Sequence, residues 1–263
     1  SDAKTMTING LLGEALSSSF SLRKKNGKWQ LSKGVIQQSL SASILPKSES
    51  LEVLLETTFG PLKMNIISKE SGFILDNIAI KNDSLLVTGA VELIKKIDQL
   101  HNYSTTVDAL LKSQNTKALM EEFGFQGILS SKNLTIDLDL FWPYIPSSDG
   151  VFDANGTVKV NIKDGQITAI DPIAGKVLGL LSIAELPKRL VLDFSDIFKK
   201  GLSFNRLSGE FQFKNGSAYT CNLAMKGTSV DILLVGVTDM IGETYNQLAM
   251  VQPLLSDALP MSG

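Results

Sequence analysis

Side chains able to do acid–base, nucleophilic or metal chemistry are sparse: the 263 residues hold one His, His101, and one Cys, Cys221. A His/Cys zinc site takes three or four such ligands, which this chain cannot supply. A Ser-His-Asp triad could be built only on His101, and no Gly-x-Ser-x-Gly elbow surrounds any serine. His101 follows Ile97-Asp98-Gln99-Leu100 and precedes Asn102-Tyr103, the setting of a surface histidine in or beside a loop. Asp137 and Asp139 stand two apart on a strand-like run, about 7 Å from each other, a spacing that could suit the carboxylate pair of a glycosidase. Alternation puts a polar residue at every second place of a half-solvated strand anyway, so a solvated face is the simpler reading. Asp193, Asp196 and Glu185 lack the oxygen-dense spacing of a calcium loop. Gly175-Lys176-Val177 lacks the upstream Gly and the following Ser/Thr of a phosphate loop. Cys221 alternates with Tyr219, Leu223 and Met225, so it is expected to be a small core residue. No catalytic residue, metal or cofactor is expected.

Charge removes a further class. Lys and Arg number 25 against 27 Asp and Glu, a net of −2. The densest basic spots, Arg23-Lys24-Lys25 and Lys188-Arg189, are short, so no nucleic-acid partner is expected. No run reaches the roughly 18 apolar residues of a membrane helix. The opening Ser1-Asp2-Ala3-Lys4 shows no signal pattern. We expect residues 1–3 to be a remnant of preparation and 4–263 a single segment of a longer protein, any anchor lying outside it.

The elements that must position whatever this chain does are strands. Leu134, Ile136, Leu138 and Leu140 alternate with Thr135, Asp137 and Asp139, the period-two mark of a sheet with one apolar face. Val158, Val160 and Ile162 repeat the pattern, followed by Asp164-Gly165 and then Gln166 to Ile170. Asp-Gly and Asn-Gly between alternating runs are strong hairpin signals, because both turn positions favour φ > 0. Hairpins are therefore expected at Asp164-Gly165, at Asn215-Gly216 between Glu210–Lys214 (Phe211, Phe213) and Ala218–Met225, and at Asn26-Gly27. Further strands are expected over 34–44, 50–58, 61–67, 73–80, 84–90, 103–112, 229–237 and 244–251. Two stretches turn helical: 115–123, with Asn115 as N-cap and Leu119, Met120 and Phe123 at helical spacing, and 174–186, ended by Pro187. The second, with Leu178, Leu181 and Ile183, has few polar positions, so it must bury most of its girth against the sheet, or plug or gate a cavity. Two helices cannot cover so many strands. The sheet must pack on itself, as a sandwich or barrel, or curl around something apolar.

Residues 180–204 carry a resemblance. Leu180-Leu181-Ser182-Ile183, Leu186-Pro187-Lys188-Arg189-Leu190, Leu192-Asp193-Phe194-Ser195-Asp196-Ile197-Phe198 and Lys200-Gly201-Leu202-Ser203-Phe204 resemble the C-terminal region of AsmA-like proteins, in the YhdP branch, related to TamB-type proteins. Phe141-Trp142-Pro143, Gly156 and Asp164-Gly165 upstream, and Gly209-Glu210-Phe211, Asn215-Gly216, Thr220 and Met225-Lys226-Gly227 downstream, follow in the family's order, so the likeness covers about 103–252. It implies a mainly β fold: a long curved antiparallel sheet forming an open groove, with two short helices packed on or in it. It further implies a periplasmic body anchored to the inner membrane of a Gram-negative envelope and implicated in moving phospholipid between the inner and outer membranes. The family has no catalytic residues to carry over. Arg189, Asp193, Phe194, Ser195, Asp196, Gly201 and Phe204 are read as structural, with Asp193 and Asp196 capping a short turn and Arg189 pairing with one of them.

Under that resemblance Leu134, Ile136, Leu138, Leu140, Val158, Val160, Ile162, Phe211 and Phe213 are the candidates to line a lipid groove. Phospholipid acyl chains would be the ligand, with envelope proteins at either membrane as further partners. The alternative is a closed β-sandwich scaffold that serves envelope assembly through protein contacts.

Overall fold

The structure, a computed structural model, describes residues 5–11, 17–25, 28–35, 50–57, 59–96, 103–122, 129–146, 150–167 and 201–254. Fourteen strands dominate it. They are β1 (Thr5–Leu11), β2 (Ser17–Lys25), β3 (Lys28–Val35), β4 (Ser50–Thr57), β5 (Gly60–Lys69), β6 (Gly72–Lys81), β7 (Leu86–Lys95), β8 (Tyr103–Ser113), β9 (Leu129–Trp142), β10 (Asn155–Ile167), β11 (Leu202–Lys214), β12 (Ser217–Gly227), β13 (Val230–Asp239) and β14 (Thr244–Pro253). Their hydrogen-bonding order is their chain order, β1 to β14, with β1 and β14 at opposite ends, so the sheet is not closed into a barrel. The fold is mainly β, as the alternation predicts. β3 and β4 break the meander by pairing in parallel, Trp29 with Leu51 and Gln30 with Glu52.

Two of the three expected hairpins form. Asn215 (φ 49°) and Gly216 (φ 76°) both take the left-handed conformation that joins β11 to β12. β2 and β3 pair antiparallel with Lys25 opposite Lys28, while Asn26-Gly27 lie outside the described residues. The third does not: β10 runs unbroken from Asn155 through Asp164-Gly165 to Ile167. Asp164 still takes φ 51°, but inside a strand. The physical reason is a neighbour, since a Cβ on Gly165 would lie 2.4 Å from the Phe204 ring and 2.9 Å from the Ser130 carbonyl oxygen. The glycine makes room for a packed ring, not for a reversal.

Helix α1 (Thr116–Glu122) forms where Asn115 predicts it. The Asn115 Oδ1 accepts the Ala118 N–H at 3.2 Å, and its carbonyl accepts the Leu119 N–H at 3.1 Å. Leu119 and Thr116 are buried, and the Thr116 hydroxyl donates to the Ser131 carbonyl. A 3₁₀ turn at Gly150–Asp153 had no forerunner in the sequence reading. The helix expected over 174–186, with Leu178, Leu181 and Ile183, lies outside the described residues, as do His101, Arg189, Asp193, Phe194, Ser195 and Asp196.

The chain divides into two compact units, one of residues 1–111 with 137–156 and one of 112–136 with 157–263. In the first, Val53, Ile66, Leu85, Trp142 and Ala154 are buried. In the second, Leu202, Phe204, Leu207, Leu223, Met225, Val230, Ile232 and Leu234 form a continuous buried set.

Candidate functional site

The registers of β4 to β7 gather one apolar face in the first unit. Val53 pairs with Met64, Leu62 with Ile80, Ile66 with Leu75 and Ser68 with Phe73. Phe73 in turn faces Leu93, Leu75 faces Val91, Ile78 faces Gly89 and Ile80 faces Val87. Plain alternation along β6 would send Ile78 and Ile80 to the side opposite Phe73 and Leu75. One extra residue in β6 prevents this: both its neighbours shift register between Leu75 and Ile78, and Asn77 takes φ 50°. Such a bulge sets two residues against one and restores the apolar side beyond it. The opposite face is mixed, carrying Glu52, Lys63, Asn65, Asp76 and Glu92 beside Leu54, Ile67 and Ile74, with Lys63 Nζ 3.1 Å from Glu52 Oε1.

Of this apolar face only Val53 and Ile66 are buried; Leu62, Met64, Phe73, Leu75, Ile78, Ile80, Val87, Val91 and Leu93 are half-buried. A sheet face of Ile, Leu, Val and Phe that is covered only in part is a surface suited to apolar ligands. Sequence reasoning did not put β4–β7 among the candidates. The signal was there in Phe73 and Leu75 followed by Ile78 and Ile80, but the bulge breaks the period that would have joined them.

The groove candidates divide by burial. Along β9, Leu134 is buried and Ile136, Leu138 and Leu140 are half-buried, while Asp137 and Asp139 on the other side are exposed. Along β10, Val158 and Val160 are half-buried and Ile162 is buried; in β11, Phe211 is buried and Phe213 half-buried. As placed, Leu134, Ile162 and Phe211 pack against protein. Gly201 takes φ 82° just before β11, and Phe204 is buried with its ring over Gly165.

The second unit gives its apolar side to protein packing. Leu207, Leu223, Met225, Ile232 and Leu234 share one face of β11–β13, and all are buried. Here too bulges set the sides. The register shifts between Thr220 and Leu223, so Ala218 and Thr220 join Leu223 and Met225 inside. Cys221 is consequently exposed, not a core residue, and Tyr219 is exposed beside it. The shift is held locally, the Glu210 N–H donating to Asn222 Oδ1 at 2.9 Å and the Thr220 hydroxyl to the Glu210 carbonyl at 2.8 Å.

Polar chemistry is thin in both units. In the first, the Tyr144 hydroxyl donates to Asp153 Oδ2 at 2.8 Å, and its pKa is raised by burial and then by that carboxylate, which favours the neutral phenol. The Thr105 hydroxyl donates to the Tyr144 carbonyl at 2.9 Å, so the tyrosine ties β8 to the segment after β9. Among the described residues no group of three or more His, Cys, Asp or Glu is placed to hold a metal ion. Among them, too, no helix is long and apolar enough to cross a membrane.

These faces define a class: a mainly β protein whose apolar side lies on an unclosed sheet and whose polar groups hold the chain together. The chain belongs to the YhdP family, whose model, described as YhdP protein, matches residues 52–263. It is 29% identical over 156 residues to the intermembrane phospholipid transporter YhdP of Escherichia coli (strain K12), an alignment that covers 59% of this chain and 12% of that protein. No solved structure matches it.

Proposed function

We propose that this chain is a stretch of a phospholipid-carrying β-surface in a longer envelope protein, acting as a passive apolar conduit without chemistry of its own. The half-buried apolar face of β4–β7 carries the reading, supported by the phospholipid transport named for the Escherichia coli relative. Burying acyl chains is worth about 0.8 kcal/mol per CH₂, so a partly covered Ile/Leu/Val face holds them while a polar headgroup stays in water. In the first unit Leu138 and Leu140, and separately in the second Ile136, Val158 and Val160, are half-buried and are further candidates for acyl contact. Movement along such a surface needs many weak, similar sites, and aliphatic side chains repeated from strand to strand supply them. The working place of this conduit is the periplasm, with the full-length protein anchored at the inner membrane.

Native mass spectrometry of the chain purified from Gram-negative cells without detergent tests this. The expected result is a series of masses raised by one or more phospholipids, lost on mild activation. A bare chain mass from the same preparation, with phosphatidylethanolamine added back and still not retained, would overturn the conduit reading.

The second unit favours a different role for its own strands. Its apolar face is buried throughout β11–β13, which is how a scaffold is built, and we read that part as scaffold.

A further inference from the structure

β14 (TYNQLAMVQP), last in the strand order among the described residues, contains no Lys, Arg, Asp or Glu, whereas each of β2 to β13 contains at least one. Folded proteins ordinarily do the reverse, placing charge, proline or a bulge on edge strands because an unpaired row of N–H and C=O groups invites another strand. β14 uses none of these along its length. Its ten residues pair with β13 in one unbroken register, Thr244 with Asp239 through to Pro253 with Val230, and its proline is the last residue. Among the described residues β13 is its one neighbour in the sheet.

The side chains beside this edge point the same way. Leu248 is 61% exposed and Met250 48%, on the same face as Tyr219 at 47%. Leu248 and Tyr219, with Val235 and Val237, border an open cleft of about 780 Å³ that Gln212, Asn246 and Gln247 also line. Main-chain groups along an edge and apolar side chains next to it are together met by one kind of occupant, an added β-strand with apolar residues at alternate places. β14 itself is such a strand.

We propose that β14 pairs antiparallel with β14 of a second copy of this chain about a two-fold axis, joining two sheets edge to edge. Two-fold pairing sets residues of one strand against residues of the same strand, so any charge near the axis would face its like. The absence of charge makes β14 self-complementary, which no inner strand of this sheet would be. Leu248 and Met250 of the two copies then lie side by side and cover one another. The inference does not depend on what the β4–β7 face binds.

Sedimentation velocity of the intact chain over a range of micromolar concentrations tests it, beside Leu248→Lys, Met250→Lys and, as a control, Ile241→Lys. Ile241 is 65% exposed in the turn between β13 and β14, outside the length of β14 itself. The parent and the control should show a concentration-dependent species of twice the chain mass. Leu248→Lys and Met250→Lys should weaken association at least tenfold, with melting temperatures within a degree or two of the parent. A parent that stays monomeric throughout, or edge variants that dimerise as the parent does, would overturn the proposal. A monomeric parent that floats with phosphatidylethanolamine/phosphatidylglycerol vesicles in a Leu248-dependent way would also overturn it, assigning the patch to a lipid surface.

Discussion

At the scale of single residues, burial and hydrogen bonding decide more here than reactivity. Cys221 shows how a local rule misleads. Its alternation with Leu223 and Met225 places it inside, yet the extra residue in β12 turns it out while keeping Ala218 and Thr220 in. Nothing in the residue types around Asn222 announces that bulge, because its cost and its benefit lie in the pairing with β11 and β13. Asn115, by contrast, was legible: capping is a contact with the next turn of the same segment, and the side chain bonds where its position predicts. Tyr144 offers a pH-dependent test. Its bond to Asp153 is to a charged acceptor at 2.8 Å but on a partly exposed side chain, so Tyr144→Phe should cost about 1 kcal/mol near neutrality. Folding raises this phenol's pKa above the ordinary 10.0, so the neutral form is the one the fold prefers. The bond's contribution is whole below pH 10 and is lost as pH climbs through the raised value. Urea titrations of parent and variant at pH 7 and in strongly alkaline buffer should show a gap in midpoint at the first pH that narrows at the second. A gap that widens with alkali would contradict this account.

At the scale of elements, strands were legible and their irregularities were not. Expected strands at 50–58, 61–67, 73–80, 103–112, 229–237 and 244–251 fall on β4, β5, β6, β8, β13 and β14. Alternation reports which side of a strand is apolar without reference to partners, so it survives translation into structure. β1 was missed because Thr5–Leu11 is short and half polar, and the β4–β7 face was missed because the bulge at Asn77 splits its pattern in two. Asp164-Gly165 failed for the opposite reason: a turn signal was present, but a buried aromatic ring claims the space above the glycine. Gly165→Ala tests that assignment. If the residue packs under Phe204, the added methyl should lower stability by about 1–3 kcal/mol through overpacking, read as a fall in thermal midpoint. Were Gly165 a free hairpin position, the same change would leave the Phe204 packing intact, and Phe204→Leu would not relieve it. We expect Phe204→Leu to recover part of the loss in the double variant, since the shorter side chain vacates the ring's place.

At the scale of the whole molecule, the contrast between a half-buried and a fully buried apolar face gives a paired experiment. Leu138 is half-buried on β9, whereas Leu223 is buried on β12. An ionised carboxylate at Leu223 has no water to solvate it, so Leu223→Asp should cost several kcal/mol, a large share of a typical total of about 5–15, and leave little folded protein. Leu138→Asp keeps partial access to water and should lower the melting temperature by only a few degrees while reducing the phospholipid that copurifies. Unfolding of Leu138→Asp to the same extent as Leu223→Asp, with no lipid on the parent, would mean that β9 is closed in by protein. The family was legible through the motif string at 180–204, a likeness of sequence; the β4–β7 face came from pairings that no single strand reveals. The strand order has a kinetic consequence as well. Because hydrogen-bonded neighbours are consecutive along the chain, most strands find their partner close by in the polypeptide, the long interval being residues 168–201 between β10 and β11. Loop-closure entropy is met in small instalments, the topology has low contact order for a β protein, and assembly can proceed like a zipper from whichever hairpin forms first. The growing front of such a zipper is always one unpaired strand wide, so a chain emerging end-first can be taken up strand by strand, its newest edge serving as the template for the next.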